Sequence, residues 1–167
     1  MANFQTSVRL VQTTGIVGDI INDGPRRAIP GRLNSTAEAN NVVGRAFFHT
    51  AASDDQVQAN GADTLAFAGI LVNSKNYTLR GTTAGGTLAP TTTLANGEQV
   101  ELLQMGIVIV TFSTTATIGW NVFAHNTTGV LAAAAGTTLA SHTLIPNAKV
   151  VRRNITSAGD GIIQLTN

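Results

Sequence analysis

Between residues 98 and 112 the hydrophobic pattern changes character halfway along. Val100 and Leu102 fall on one face of an extended chain while Gln99 and Glu101 fall on the other, the period-two signature of a strand with one dry face and one wet face. At residues 107–110 (Ile-Val-Ile-Val) every position is apolar, so both faces need covering, by a second sheet or by another subunit. Gly106 marks the change. A glycine inside a strand pattern signals a bulge, a bend or a close backbone approach, and a kink here would carry the chain from one sheet toward a second.

The rest of the chain shows the same alternation in shorter runs. Val8 and Leu10 alternate with Ser7 and Arg9 in a short strand or extended arm. Gly15, Gly18, Gly24 and Gly31, with Pro25 and Pro30 among them, break the next segment into pieces too short for helices. Residues 1–33 are therefore expected as an extended N-terminal arm and residues 34–167 as the folded domain. Residues 41–50 read as a strand with a bulge at Gly44, residues 53–63 as a polar turn region, and residues 65–72 as a further strand. The Gly/Thr/Ala-rich residues 81–93 read as an exposed flap. After Phe112, a turn at Gly119 leads into a strand with Trp120, Val122 and Ala124 on one face, and residues 126–129 turn the chain into Val130 and Leu131. Residues 132–135 are the one helix-friendly run, cut short by Gly136. Residues 149–154 and 161–165 close the chain as two strands about a glycine-rich turn. Short strands at regular spacing predict an all-β sandwich or barrel.

Composition adds a surface to this picture. In a chain of 167 residues charged side chains make up 11%, against roughly 25% in an average soluble domain, and threonine, alanine, glycine and asparagine stand in their place. Such a surface suits a protein covered by neighbours. The formal net charge of +1 argues against a nucleic-acid partner, which would need a concentrated basic face. With no cysteine there is neither a disulfide framework nor a thiolate metal site. No run approaches the roughly 18 apolar residues of a membrane span and the N-terminus lacks a secretion pattern, so no membrane partner is expected and the protein is expected to be made in the cytosol.

Little in the sequence carries chemistry. His49, His125 and His142 are far apart without metal-ligand spacing, and each reads as a single satisfied side chain. Asp54 and Asp55 read as turn polarity, and Glu98 with Glu101 as a strand edge. No general base, oriented nucleophile and oxyanion donor come together, which points away from an enzyme, and no metal or cofactor is expected. Trp120 reads as a core aromatic. The unbroken apolar run makes Ile107 and Ile109 the candidates for self-association, as a homodimer or else a trimer.

The order of these segments carries a resemblance. Gln5-Thr6-Ser7-Val8-Arg9-Leu10, Gly15-Ile16-Val17-Gly18-Asp19, Gly24-Pro25-Arg26-Arg27-Ala28 and Val43-Gly44-Arg45-Ala46-Phe47 resemble the opening of the head cement proteins of tailed bacteriophages. Phe67-Ala68-Gly69-Ile70-Leu71, the strands of residues 97–110, and the segment from Ala116 through Trp120 to Gly129 follow in that family's order. The resemblance implies a jelly-roll-like barrel with an extended arm, the trimeric β-tulip being the other decoration fold. It implies a structural protein on the outer surface of the expanded capsid that bridges neighbouring major capsid subunits and stabilises the particle. A tail or fibre component binding a host surface is the alternative. On the capsid reading, Phe4, Val8 and Leu10 of the arm would lie in grooves of the major capsid protein, and Arg26, Arg27 and Arg32 would bind its carboxylates.

Overall fold

A computed structural model describes residues 15–21, 24–50, 53–73 and 93–166, with the backbone alone at Ser53 and Asp54. The strands are β1 (Ile20–Ile21), β2 (Arg27–Leu33), β3 (Ala46–Thr50), β4 (Ser53–Gln58), β5 (Phe67–Leu71), β6 (Gln99–Phe112), β7 (Asn121–His125), β8 (Leu131–Ala134), β9 (His142–Arg152) and β10 (Gly159–Leu165), with one 3-10 turn at Glu38–Asn40. The fold is all-β, as expected.

β6 is the strand on which the others are hung. At 14 residues it reaches on the order of 46 Å, far beyond a usual strand. Its first half pairs with β2 on one edge and β5 on the other. Its second half pairs with β10 and β1, and Phe112 meets Leu131 of β8. The ladders return to β6 twice. One ring runs β6, β2, β4, β3, β5 and back. The other runs β6, β10, β9, β7, β8 and back. A sheet closed on itself leaves few edges for unwanted pairing. The architecture is a closed barrel with further strands, consistent with the jelly-roll-like barrel or sandwich that the sequence led us to expect.

The change of sheet falls at Gly106, where the sequence places it. Met105 is the last residue of β6 to pair with β2, and Gly106 the first to pair with β10. The backbone there has φ 133°, a region that L side chains rarely adopt. The wet-to-dry change, however, begins earlier than expected. Leu102 and Leu103 are both fully buried on opposite faces of the strand, Leu102 in the smaller core with Leu33, Phe47, Val57 and Leu71, and Leu103 in the larger core with Phe48, Ile70, Val110 and Phe112. The ring containing β2–β5 therefore encloses one core and seals the other with its outer face.

Two expectations need correcting. Residues 53–63 are not all turn: Ser53–Gln58 is β4, inserted between β2 and β3. Val57 and Ala59 point into the smaller core, and the Asp and Gln residues beside them mask a two-position alternation. The alanine run, cut too short by Gly136 for a helix, forms β8, where residues 131–134 are hydrogen-bonded along β7 and tertiary pairing overrides a mild helical propensity. The strand expected over residues 149–154 begins seven residues earlier at His142 and ends at Arg152. Its pairing with β7 shifts between Asn121 and Phe123, which accommodates Pro146 and an Asn147 at φ 55° in the bulge.

Part of the expected arm belongs to the sheet. Residues 27–32 pair along β6, and Leu33 is buried at 1% exposure in the smaller core. Phe4, Val8 and Leu10, and the flap at residues 81–92, lie outside the described residues.

Candidate interaction surface

Arg26, Arg27 and Arg32 are all exposed, but β2 keeps them apart. Arg27 lies opposite Met105 and Arg26 lies beside Gly106, whereas Arg32 lies opposite Gln99 at the far end. Five positions along an extended strand separate Arg27 from Arg32 by on the order of 16 Å, so the three form two points of positive charge and no single patch.

Ile109 has its cover within the chain, and Ile107 part of its cover. Ile109 is 3% exposed, and a β-carbon placed on Gly15 would sit 2.5 Å from its Cδ1. The Gly18 amide donates to the Ile109 carbonyl at 2.7 Å, and the Ile109 amide donates to the Asp19 carbonyl at 3.1 Å. Ile107 is half-buried where it pairs with Ile21 of β1. The second covering that the apolar run requires thus comes from the segment around β1.

The fold brings together two histidines that are far apart in sequence. His125 of β7 and His142 of β9 are direct cross-strand partners with ring centroids 4.9 Å apart and ring planes at 88°. His142 Nδ1 donates to the Ala140 carbonyl at 2.7 Å, and His125 Nδ1 accepts the Thr127 amide at 3.3 Å. Each ring thus holds a turn. His49 pairs with Val57, away from both. Among the described residues no group of three or more His, Cys, Asp or Glu side chains is placed to hold a metal. Trp120 packs against the larger core.

A groove of about 580 Å3 lies between the turn at Val42, Val43 and Gly44, the segment Ile16-Val17, and the end of β6 at Phe112. Its walls are mostly aliphatic, and Ile16 at its lip is 66% exposed. Among the described residues Arg45 is the one charged side chain in the lining. Its Nη1 donates to Asn40 Oδ1 at 2.9 Å and to the Thr128 carbonyl at 3.3 Å, both uncharged acceptors, and burial lowers its pKa. The turn beneath it is pinned from several sides: the Ala46 amide donates to the Gly129 carbonyl at 3.0 Å, and the Gly61 amide to the Asn126 carbonyl at 2.7 Å. The sequence reading missed this groove, because its walls come from stretches more than a hundred residues apart. The one local signal was Arg45 itself, a charge inside the run Val42-Val43-Gly44-Arg45-Ala46-Phe47-Phe48.

Comparison with known proteins gives the fold and the family. A chain solved as "The capsid of Myoviridae Phage XM1" superposes with a TM-score of 0.64 at 16% identity, over 98% of this chain and 97% of that one. A second, solved as "The crystal structure of head fiber gp8.5 N base in bacteriophage phi29", reaches a TM-score of 0.43 at 9% identity, over 85% of this chain and 95% of that one. No curated protein matches. The phage family described as "Structural cement protein (E217 gp24/Pam3 gp6)" matches residues 4–167. Since that match takes in both rings, the groove and nearly all of the chain before them, the chain belongs to the phage structural cement protein family and is a capsid cement protein.

Proposed function

We propose that this protein binds the outer surface of the expanded head, bridges neighbouring copies of the major capsid protein, and holds the shell together against the outward pressure of packaged DNA. The observation that carries this reading is the family match over residues 4–167, which already implies a structural, non-enzymatic role in association with the capsid shell. The physical character of the molecule supports it. A doubly closed body with 11% charged residues offers a polar, nearly uncharged surface that costs less to desolvate against a neighbour than a charged one. Repetition over a lattice turns modest single contacts into firm attachment.

Residues 1–14 act, on this reading, as a clamp: Phe4, Val8 and Leu10 fall on one face of an extended segment and would enter grooves of the shell. Arg26 with Arg27, and separately Arg32, would each meet carboxylates of the major capsid protein. Self-association, as a homodimer or else a trimer, would rest on the half-buried Ile107, since Ile109 is covered from within the molecule. Among the described residues nothing favours the tail or fibre alternative.

Co-sedimentation tests the reading. Purified protein mixed with expanded heads assembled without it should pellet with the heads, saturate, and raise the temperature at which they rupture. Pelleting with tails alone, or no pelleting with heads, would overturn it.

A further inference from the structure

Arg45 places a cationic residue in the lining of the aliphatic groove. Among the described residues the lining includes no acidic side chain, and all side-chain hydrogen bonds that Arg45 makes run from Nη1 to neutral oxygens. A guanidinium has five N–H donors in a planar fork, matched to the two oxygens of a carboxylate, and a half-buried one gains most from such a partner because it has already lost part of its hydration. Beside it the walls offer Val17, Val42, Val43 and Phe112, and the exposed Ile16 extends the apolar surface outward. A volume of about 580 Å3 lies within the ordinary range for a binding cleft. A groove with these two properties selects for a ligand with the same two, apolar side chains and a negative end.

The geometry points to this groove as the seat of a peptide segment of the capsid shell that presents aliphatic side chains next to a carboxylate, the carboxylate on Arg45 and the aliphatic groups between Ile16 and Phe112. This rests on the proposed binding to the major capsid protein. It adds a contact that is independent of residues 1–14 and of Arg26, Arg27 and Arg32. The groove is held open by its own scaffold: Val17 packs on Gly44, Val43 packs on Gly18, and the Asn73 amide donates to the Gly18 carbonyl at 2.9 Å. A partner would therefore find the site already shaped, which lowers the entropy lost on binding.

The test uses the full-length protein and heads assembled without it. Ile16→Asp should weaken head binding about tenfold or more while leaving the melting temperature nearly unchanged, because Ile16 is exposed at 66%. Arg45→Gln should weaken binding at least as much, and Arg45→Lys should recover only part of it. A photo-crosslinker in place of Ile16 should then capture a shell peptide carrying Asp, Glu or a free terminal carboxylate. Neutralising that carboxylate on the shell should weaken wild-type binding and have no further effect on Arg45→Gln. If wild-type protein fails to bind heads, the capsid reading itself falls. If wild type binds and Ile16→Asp binds equally well, the groove assignment falls alone. Crosslinks to a second copy of this protein, to a shell peptide without a carboxylate, or additive losses in the double variant would also overturn it.

Discussion

Gly129 shows how a single residue holds the two rings in register. Its φ is 66°, and a β-carbon there would lie 2.3 Å from the Ala46 carbonyl oxygen and 2.9 Å from that of Ala59. Both obstacles are backbone and cannot swing aside. Gly129→Ala should therefore cost about 3 kcal/mol or more, read as a drop in melting temperature of roughly 6 to 12 °C. Gly119 is the control. Its φ is 90° with nothing within 4 Å, so Gly119→Ala carries only the conformational strain, about 1 kcal/mol. Equal losses in the two variants would remove the steric argument. Asn41 is the second informative position, fully buried, with Nδ2 donating to the Leu94 carbonyl at 3.1 Å and to Asn96 Oδ1 at 2.9 Å. Asn41→Ala should cost about 2 to 3 kcal/mol in denaturant unfolding, since the buried Leu94 carbonyl loses its side-chain donor. A loss below about 0.5 kcal/mol would mean that water replaces the amide.

At the scale of elements, β6 makes the two rings one cooperative unit. Leu102 and Val108 are both fully buried on this strand, Leu102 in the smaller core and Val108 in the larger. Leu102→Ala, at about 2 to 5 kcal/mol, and Val108→Ala, at a smaller cost, should lower one shared unfolding transition, with hydrogen exchange rising in both rings together. Two separable transitions would show that each ring folds by itself. β6 was legible in the sequence for the same reason that it dominates the fold: its alternation is long, and Gly106 interrupts it where the pairing changes. β4 was hidden, because one face carries Gln56 and Gln58 and the other opens with Asp55, leaving only Val57 and Ala59 to mark the buried side. β8 was hidden because alanine has no strand preference of its own and takes its conformation from β7. The site was less legible than the fold. Arg26 and Arg27 stand out in any sequence, whereas the groove exists only after residues 16–17, 42–45, 111–113, 130 and 158 have been brought together.

At the scale of the whole molecule, the exposed features are predicted to act in binding and to contribute little to folding. Arg26→Ala with Arg27→Ala should lower occupancy on heads and change stability by less than about 1 kcal/mol, as is usual for exposed charges. Loss of fold along with occupancy would place these arginines in the scaffold. Deleting residues 2–14 should leave the circular dichroism of the remaining protein unchanged and abolish protection of heads against heat. Each of the three apolar side chains there contributes on the order of 1.5 to 3 kcal/mol when buried, against roughly 1 to 2 kcal/mol of backbone entropy per ordered residue. One clamp alone is therefore weak, and attachment depends on many acting on a lattice. The central claim is that this protein joins shell subunits from outside, and electron cryo-microscopy of heads saturated with it, compared with heads lacking it, tests that most directly. The account predicts added density on the outer surface, at the same positions throughout the lattice, with each copy touching more than one major capsid subunit. Density confined to the tail or the interior, or copies each resting on a single subunit, would contradict it.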